Sequence, residues 1–326
     1  MFKLPHVPRS EDLIEKAFRR GADKAKEQRS TRKGWRDVRM RKSEEDRVKT
    51  VGAIVRSDLN AVIKRFPSYD KLPVFYQRLL DLKVDKDRFK KALGAVQWCE
   101  DNVQKAESKA LLNIRGARTT SSHMKEFLGR TASIIKQISA ELDELVTIKR
   151  LLVEFPTVED VPTLVVAGYP NVGKSTFMKN LTGSKVKVAA YPFTTQDILI
   201  GHTKIKYQRY QIIDTPGILD RPMSERNNIE LQAILALSEL ADAILFVFDP
   251  TQEEEPQTNL MHEIEEGFGV PVTVIINKSD SAEVRKVEEL RANLGVPKNL
   301  AISSLSQEDC RRVFEHIFIR QKIVGG

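Results

Sequence analysis

With 326 residues and no run of 18 uncharged apolar residues, the chain has room for two hydrophobic cores and excludes an ordinary membrane-spanning helix; prolines and charges through Leu13 likewise exclude the apolar core of a signal peptide. Cys99 and Cys310 are the only cysteines and lie far apart, which excludes a disulfide framework, and with five scattered histidines they form no zinc pattern. Residues 1–160 carry 35 Lys and Arg against 24 Asp and Glu, residues 161–326 carry 18 against 21, so the net +8 is all in the first half, which points that half toward an anionic macromolecule, most simply RNA or an RNA–protein particle.

Ser10 can cap a first helix whose first turn holds Glu11 and Asp12. Leu13, Ile14, Ala17 and Phe18 recur at helical spacing, an apolar stripe that runs to about Ala25. The stretch Gln28–Lys42 then concentrates Arg29, Arg32, Lys33, Trp35, Arg36, Arg39, Arg41 and Lys42. Arginine grips phosphate with paired bonds and tryptophan stacks on a base or anchors to a bundle, so these eight are the RNA-contact candidates; the competing reading is a plain exposed connection. Further helices are expected over about Glu44–Arg65, from Pro73, over Asp85–Ile114 and over Ser122–Glu154, stopped by Phe155-Pro156. No segment up to Pro156 alternates like a strand, so residues 1–160 read as a basic bundle of four or five helices.

After Pro162 the period changes. Leu164–Ala167, Lys204–Tyr207, Tyr210–Ile213, Ile244–Phe248, Val272–Ile276 and Leu300–Ile302 are short β-rich runs. Helical stretches separate them, near Ser175–Leu181, Ser224–Leu240, Asn259–Phe268, Ala282–Leu294 and Gln307–Lys322. This is the pattern of an α/β domain, residues 161–326, with a mostly parallel sheet and helices on both faces.

Within it, Gly168-Tyr169-Pro170-Asn171-Val172-Gly173-Lys174-Ser175-Thr176 matches G-x-x-x-x-G-K-[ST] between a strand and a helix. Glycines let backbone N–H groups close on phosphate oxygens without a clashing Cβ. Lys174 would reach the β- and γ-phosphates, Ser175 would ligate Mg²⁺, and the helix start turns its positive end to the anion. Downstream, Thr195 of Tyr191-Pro-Phe-Thr-Thr195 can close on Mg²⁺ and the γ-phosphate; Asp214 of Asp214-Thr-Pro-Gly217 can hold Mg²⁺ through water, and the Gly217 N–H can sense the γ-phosphate. Lys174, Thr195 and Gly217 are thus the catalytic candidates, and Ser175, Thr195 and Asp214 the Mg²⁺ ligands. Asn277-Lys278-Ser279-Asp280 follows a buried run: the Asp280 carboxylate can accept from both N1–H and the 2-amino group of guanine, donors that adenine lacks. Ser303 and Ser304, after the last β-rich run, can offer a backbone N–H to the guanine oxygen.

In this order the elements resemble a Ras-type P-loop GTPase domain, with GTP and GDP as ligands. The loop together with Tyr191-Pro-Phe-Thr-Thr195 and Gly201-His202 is similar to the Obg family, and Leu4–Arg20 with Leu72–Asp81 resembles the helical domain of its Nog branch, the nucleolar GTP-binding protein family. The resemblance spans essentially the whole chain. It implies a part in assembly of the large ribosomal subunit, with the basic helical domain against rRNA. The end at Gly326, without the long tail of eukaryotic members, implies a short archaeal-type, cytoplasmic form; no membrane partner is expected, and the protein is expected to be a monomer. Ile218 stands where Ras-type enzymes carry a water-orienting glutamine, so intrinsic turnover is expected to be slow, on the order of 10⁻³ per second or less. Stimulation by the particle or by K⁺ is expected, Asn171 lying where related K⁺-activated GTPases have a ligand. Ile218–Asn228 is the expected moving segment of a switch felt by the helical half. Two other classes compete: a GTP-stabilised scaffold on the particle with little turnover, and a membrane-remodelling GTPase, against which the Arg- and Thr/Ser-flanked turns around Gly34 and Gly116 argue.

Overall fold

A computed structural model describes residues 3–31, 35–116, 120–183, 186–194 and 197–320. Two compact units are present, one of residues up to Pro73 together with Lys83–Val153, the other of Val74–Leu82 together with the chain from Glu154.

The first unit is helical: α1 (Ser10–Thr31), α2 (Arg36–Arg65), a 3₁₀ turn at Tyr69–Lys71, then α4 (Lys86–Gly116), α5 (Ser121–Gln137) and α6 (Ser139–Glu154), with α3 (Val74–Asp81) intervening in sequence. Val48, Val51, Val55, Leu59 and Val62 follow one another at three- and four-residue steps along α2 and are fully buried. Each contributes about 1.5–3 kcal/mol by leaving water. The face they make packs on α1 and α4. Lys16 of α1 pairs with Asp58 of α2 at 2.6 Å, and Arg56 of α2 with Glu107 of α4 at 3.0 Å.

Three expectations change here. Ser10 is the first helical residue rather than a cap, and its hydroxyl shares a 2.9 Å hydrogen bond with that of Ser139. The helix expected over Ser122–Glu154 breaks at Ile138, whose N–H bonds back to Ile135 in a tightened turn; three isoleucines in five residues, stiff at χ1, weaken the ladder there. The basic stretch is mainly helical: α1 runs on to Thr31 and α2 starts at Arg36, so Arg29, Arg36, Arg39, Arg41 and Lys42 sit on helices.

The second unit is a six-stranded sheet in the order β2-β3-β4-β1-β5-β6, from β1 (Thr163–Ala167), β2 (Val186–Ala190), β3 (Asp197–Ile205), β4 (Gln208–Asp214), β5 (Ala243–Phe248) and β6 (Val272–Ile276). β1 pairs in parallel with β4 and β5, and β5 with β6; β2, β3 and β4 form an antiparallel meander. β1 and β5 are buried at every position, which requires helices over both faces. These are α7 (Lys174–Thr182), α8 (Asn228–Ala236), α9 (Glu254–Phe268), α10 (Val284–Leu294) and α11 (Gln307–Glu315).

Val74–Leu82 joins the second compact unit although it lies within the first in sequence. α3 buries Phe75, Tyr76, Leu79 and Leu80 and packs against α8. The Tyr76 hydroxyl donates to Pro156 O at 2.9 Å and accepts from Val158 N at 3.2 Å, while its ring stacks on Phe155. Arg78 pairs with Glu239 at 3.3 Å. The run Leu300–Ile302 is not a strand but a 3₁₀ turn, Lys298–Leu300, and one parallel bridge between Ala301 and Ile276. The helix expected over Ser224–Leu240 shortens to α8, started by an Asn227–Glu230 capping box. No described helix is long and apolar enough to cross a membrane.

Candidate functional site

Parallel pairing of β4, β1, β5 and β6 brings their C-terminal ends to one edge of the sheet, where open α/β sheets bind ligands. Gly168 follows β1, Asp214 closes β4, Asp249 follows β5 and Asn277 follows β6.

Gly168 and Gly173 bend the loop with φ of +135° and +103°. A Cβ on Gly168 would lie 2.5 Å from Val247 O, and one on Gly173 only 2.2 Å from Asn277 Nδ2, so neither position admits a larger residue. Asn171 also takes a left-handed conformation, φ +63°, which asparagine tolerates, and is exposed without a hydrogen bond among the described residues. Tyr169 is half-buried, Pro170 is exposed with its carbonyl bonded by Gln252, and Val172 is buried. Lys174, Ser175 and Thr176 open α7, so the loop leads into a helix N-terminus.

Lys174 is buried, and its Nζ donates to Gly168 O and Tyr169 O at 2.6 and 2.7 Å. Burial lowers its pKa, opposed by Asp220 and then Asp214. The Ser175 hydroxyl donates to Asp214 Oδ2 at 2.5 Å. Asp214 is fully buried, which raises its pKa against the bonds from Ser175 and Thr215 and the charge of Lys174, and its Oδ1 has no hydrogen-bond partner. The Gly217 N–H donates to Asp220 Oδ2 at 2.7 Å. Arg226 donates to Gly217 O at 3.2 Å and also to Ile218 O. Ile218 and Leu219 are fully buried. Thr195 lies outside the described residues, but Tyr191, four residues before it, is buried and donates from its hydroxyl to Ala233 O of α8 at 2.5 Å.

On the far side of the loop Asn277 is fully buried. Its Nδ2 donates to Val172 O at 2.7 Å and to Ser304 Oγ at 3.0 Å, and its Oδ1 accepts from Ser304 N at 2.7 Å. Lys278, at φ +57°, pairs with Asp249 at 2.5 Å. Asp280 is exposed on the turn that follows. Ser303 N donates to Asp309, and Asn180 at the far end of α7 donates to Ser304 O. The loop, Asp214, Gly217, Asn277–Lys278 and Ser303–Ser304 are thus held close together.

Two residues of this network escape a reading of motifs. Asp249 accepts from Thr251 N and Oγ1 at 2.8 and 2.6 Å as well as from Lys278; burial opposes ionisation, and these bonds outweigh it, leaving the pKa below the usual carboxylate value. Gln257 brackets the same residue, accepting from Asp249 N and donating to Asp249 O. The signal was Asp249-Pro-Thr251 after a buried strand, a turn-forming combination.

The RNA-contact candidates belong to the other unit. Arg29 donates to Ser43 Oγ at 2.9 Å, and Lys42 pairs with Glu45. Trp35 is 86% exposed, Arg36 is exposed, and Arg39 and Arg41 are half-buried. Arg32 and Lys33 lie outside the described residues.

Residues 2–159 match the family described as NOG1 N-terminal helical domain, and residues 163–278 match the one described as 50S ribosome-binding GTPase. Uncharacterized protein MJ1408 of Methanocaldococcus jannaschii is 42% identical over 293 residues, covering 88% of this chain and 82% of its own. Nucleolar GTP-binding protein 1 of Drosophila melanogaster is 34% identical over 321 residues, 93% of this chain but 48% of its own; the chain spans about half the length of its eukaryotic relatives. A crystal structure of nucleolar GTP-binding protein 1 from Plasmodium falciparum is 30% identical with a TM-score of 0.41, covering 52% of this chain and 96% of its own.

Proposed function

The chain belongs to the nucleolar GTP-binding protein (Nog) family of GTPases, and from that premise we propose that it is a guanine-nucleotide switch that hydrolyses GTP slowly and acts on the large ribosomal subunit or its precursor. The observation that carries this reading is the convergence of the glycine loop, Lys174, Ser175 and Asp214 with Asn277 and Ser304 at one sheet edge. Gly168–Thr176 hold the phosphates through backbone N–H groups, with Lys174 turning from its carbonyl partners to the β- and γ-phosphates. Asp280 reads guanine, Lys278 and Asn277 shape the base site, and the amides of Ser303 and Ser304 face the guanine oxygen.

The residues present fit Mg²⁺. A hydroxyl and a carboxylate in contact, with one buried carboxylate oxygen lacking a partner, suit an ion that keeps several waters and takes its remaining ligands from phosphate. Thr195 completes the proposed set. Bound there, the ion supplies positive charge where negative charge develops on the transferring phosphoryl group.

Because Ile218 is packed into the core, its side chain offers nothing to orient an attacking water, which supports a turnover on the order of 10⁻³ per second or less without an activator. The ribosomal particle or K⁺ supplies the stimulation, with Asn171, exposed and without a hydrogen bond among the described residues, as the candidate K⁺ ligand. The basic helical unit, with exposed Trp35 and Arg36, supports rRNA contact; we further propose that the protein acts as a monomer in the cytoplasm.

The same Ile218 favours a second reading, a GTP-stabilised placeholder with little turnover. Single-turnover hydrolysis with and without purified large subunits separates the two: acceleration by the subunit supports the switch, and an unchanged rate supports the placeholder. Co-sedimentation across a salt series tests the RNA contact, which should weaken steeply, with log K falling by up to about 0.9 per neutralised phosphate. Binding indifferent to salt rules the basic stretch out.

A further inference from the structure

Asp214-Thr-Pro-Gly-Ile-Leu-Asp220 is pinned as a tight turn. Ile218 N and Leu219 N both bond to Thr215 O, at 3.0 and 3.3 Å, and Leu219 O accepts from Gly168 N at 3.1 Å. With Ile218 and Leu219 fully buried on one side, the only polar side chain of the turn beyond Gly217 is that of Asp220, and it folds back onto the Gly217 N–H at 2.7 Å. That N–H is the donor expected to meet a γ-phosphate. The negative charge of the Asp220 carboxylate, like that of Asp214, favours the charged form of the buried Lys174 ammonium. An anionic oxygen on the Gly217 amide reproduces, from within the chain, the charge and the hydrogen bond of a γ-phosphate oxygen at that donor.

We propose that Asp220 sets the discrimination between GTP and GDP: its carboxylate occupies the Gly217 amide that a γ-phosphate must take, so GTP binds only by displacing it, whereas GDP leaves it in place. The proposal rests on the reading of Gly168–Thr176 and Gly217 as a phosphate site. Two anions cannot share one donor, because their mutual repulsion is strongest where water is sparse. Arg226, whose guanidinium bonds to Gly217 O and Ile218 O and also feels Asp220, gives the displaced carboxylate another cation in the same segment. The exchange couples the third phosphate to the path of the chain after Gly217. Loss of the γ-phosphate restores the internal contact, so Asp220 also favours return to the GDP form.

The test is titration of the full chain, with Mg²⁺ present, with GDP and with the non-hydrolysable guanosine 5′-(β,γ-imido)triphosphate, for the parent, Asp220→Ala and Asp220→Asn. In Asp220→Ala the triphosphate analogue should bind about tenfold more tightly, the scale of one charge-assisted hydrogen bond, while GDP affinity stays within about twofold. Asp220→Asn, which keeps an acceptor for the Gly217 N–H but removes the charge, should show a smaller gain, about threefold. GDP binding doubles as the check on folding for each variant. If both nucleotides gain or lose together, or if the triphosphate-to-diphosphate ratio does not move while GDP still binds, Asp220 is only a turn-closing residue and the proposal fails alone. A parent protein that binds neither nucleotide overturns the phosphate site itself, and the proposal with it.

Discussion

Around the guanine end of the proposed site, Asn277 commits three amide hydrogen bonds to Val172 and Ser304, and Asp249, Thr251 and Gln257 brace Lys278 from behind. At the phosphate end the polar groups are held by partners that can be exchanged: Lys174 by two loop carbonyls, the Gly217 amide by Asp220, and Arg226 by backbone oxygens. Among the described residues there, the one buried carboxylate oxygen without a hydrogen-bond partner is Asp214 Oδ1. One end is a finished network in which removing a member strands a buried polar group; the other can change partners at small cost. On the proposed reading, nucleotide identity would belong to the first end, and response to the number of phosphates to the second.

This contrast can be broken in four places. Lys174→Ala should cost the most, lowering affinity for GTP and GDP alike by about a thousandfold or more in calorimetric titration, since it removes the loop's only ammonium. A variant that still bound GDP normally would shift the weight of affinity to the base end. Asp280→Asn should reduce the preference for GTP over ATP about a hundredfold, read from competition between the two nucleotides, because an amide cannot accept from both guanine donors. Gly173→Ala probes the join between the two ends: an alanine Cβ 2.2 Å from Asn277 Nδ2, at φ +103°, should destabilise the GTPase unit by about 2–3 kcal/mol in urea unfolding. Full stability there would mean that the base network yields more readily than its hydrogen bonds imply. Tyr191→Phe should be the mildest, losing about 1 kcal/mol with the hydrogen bond to Ala233 while leaving GDP affinity nearly unchanged.

Much of the site was legible because its chemistry depends on a few residue types at fixed spacing. The loop Gly168–Thr176, Asp214 and Asn277 needed only the run of residues and a flanking strand to be recognised, and the GTPase resemblance they carried agrees with the match over residues 163–278, as the resemblance carried by Leu4–Arg20 and Leu72–Asp81 agrees with the match over residues 2–159. What escaped depends on contacts distant in sequence. Asp220 was an ordinary charge in a polar loop until the burial of Ile218 and Leu219 turned it back on Gly217. β2 was missed because Val186–Ala190 is an exposed edge strand with no buried face to impose alternation. The helix boundary at Ile138 left no glycine or proline to mark it. The apolar positions of α3 are the same whether it joins the bundle or packs on α8, so periodicity announced the helix and could not say which unit would claim it.

That last assignment sets the order in which the protein can be made. Asp81 precedes Ala236 by 155 residues, so at roughly 5–20 residues per second α3 waits about 8–30 s during synthesis for the helix it finally packs against. Throughout that interval Phe75, Tyr76, Leu79 and Leu80 lack their α8 surface, although the chain on either side of them belongs to the helical unit. Folding of the GTPase unit is therefore completed by one of the earliest pieces to be made, and a fragment beginning at residue 161 lacks the piece that covers α8.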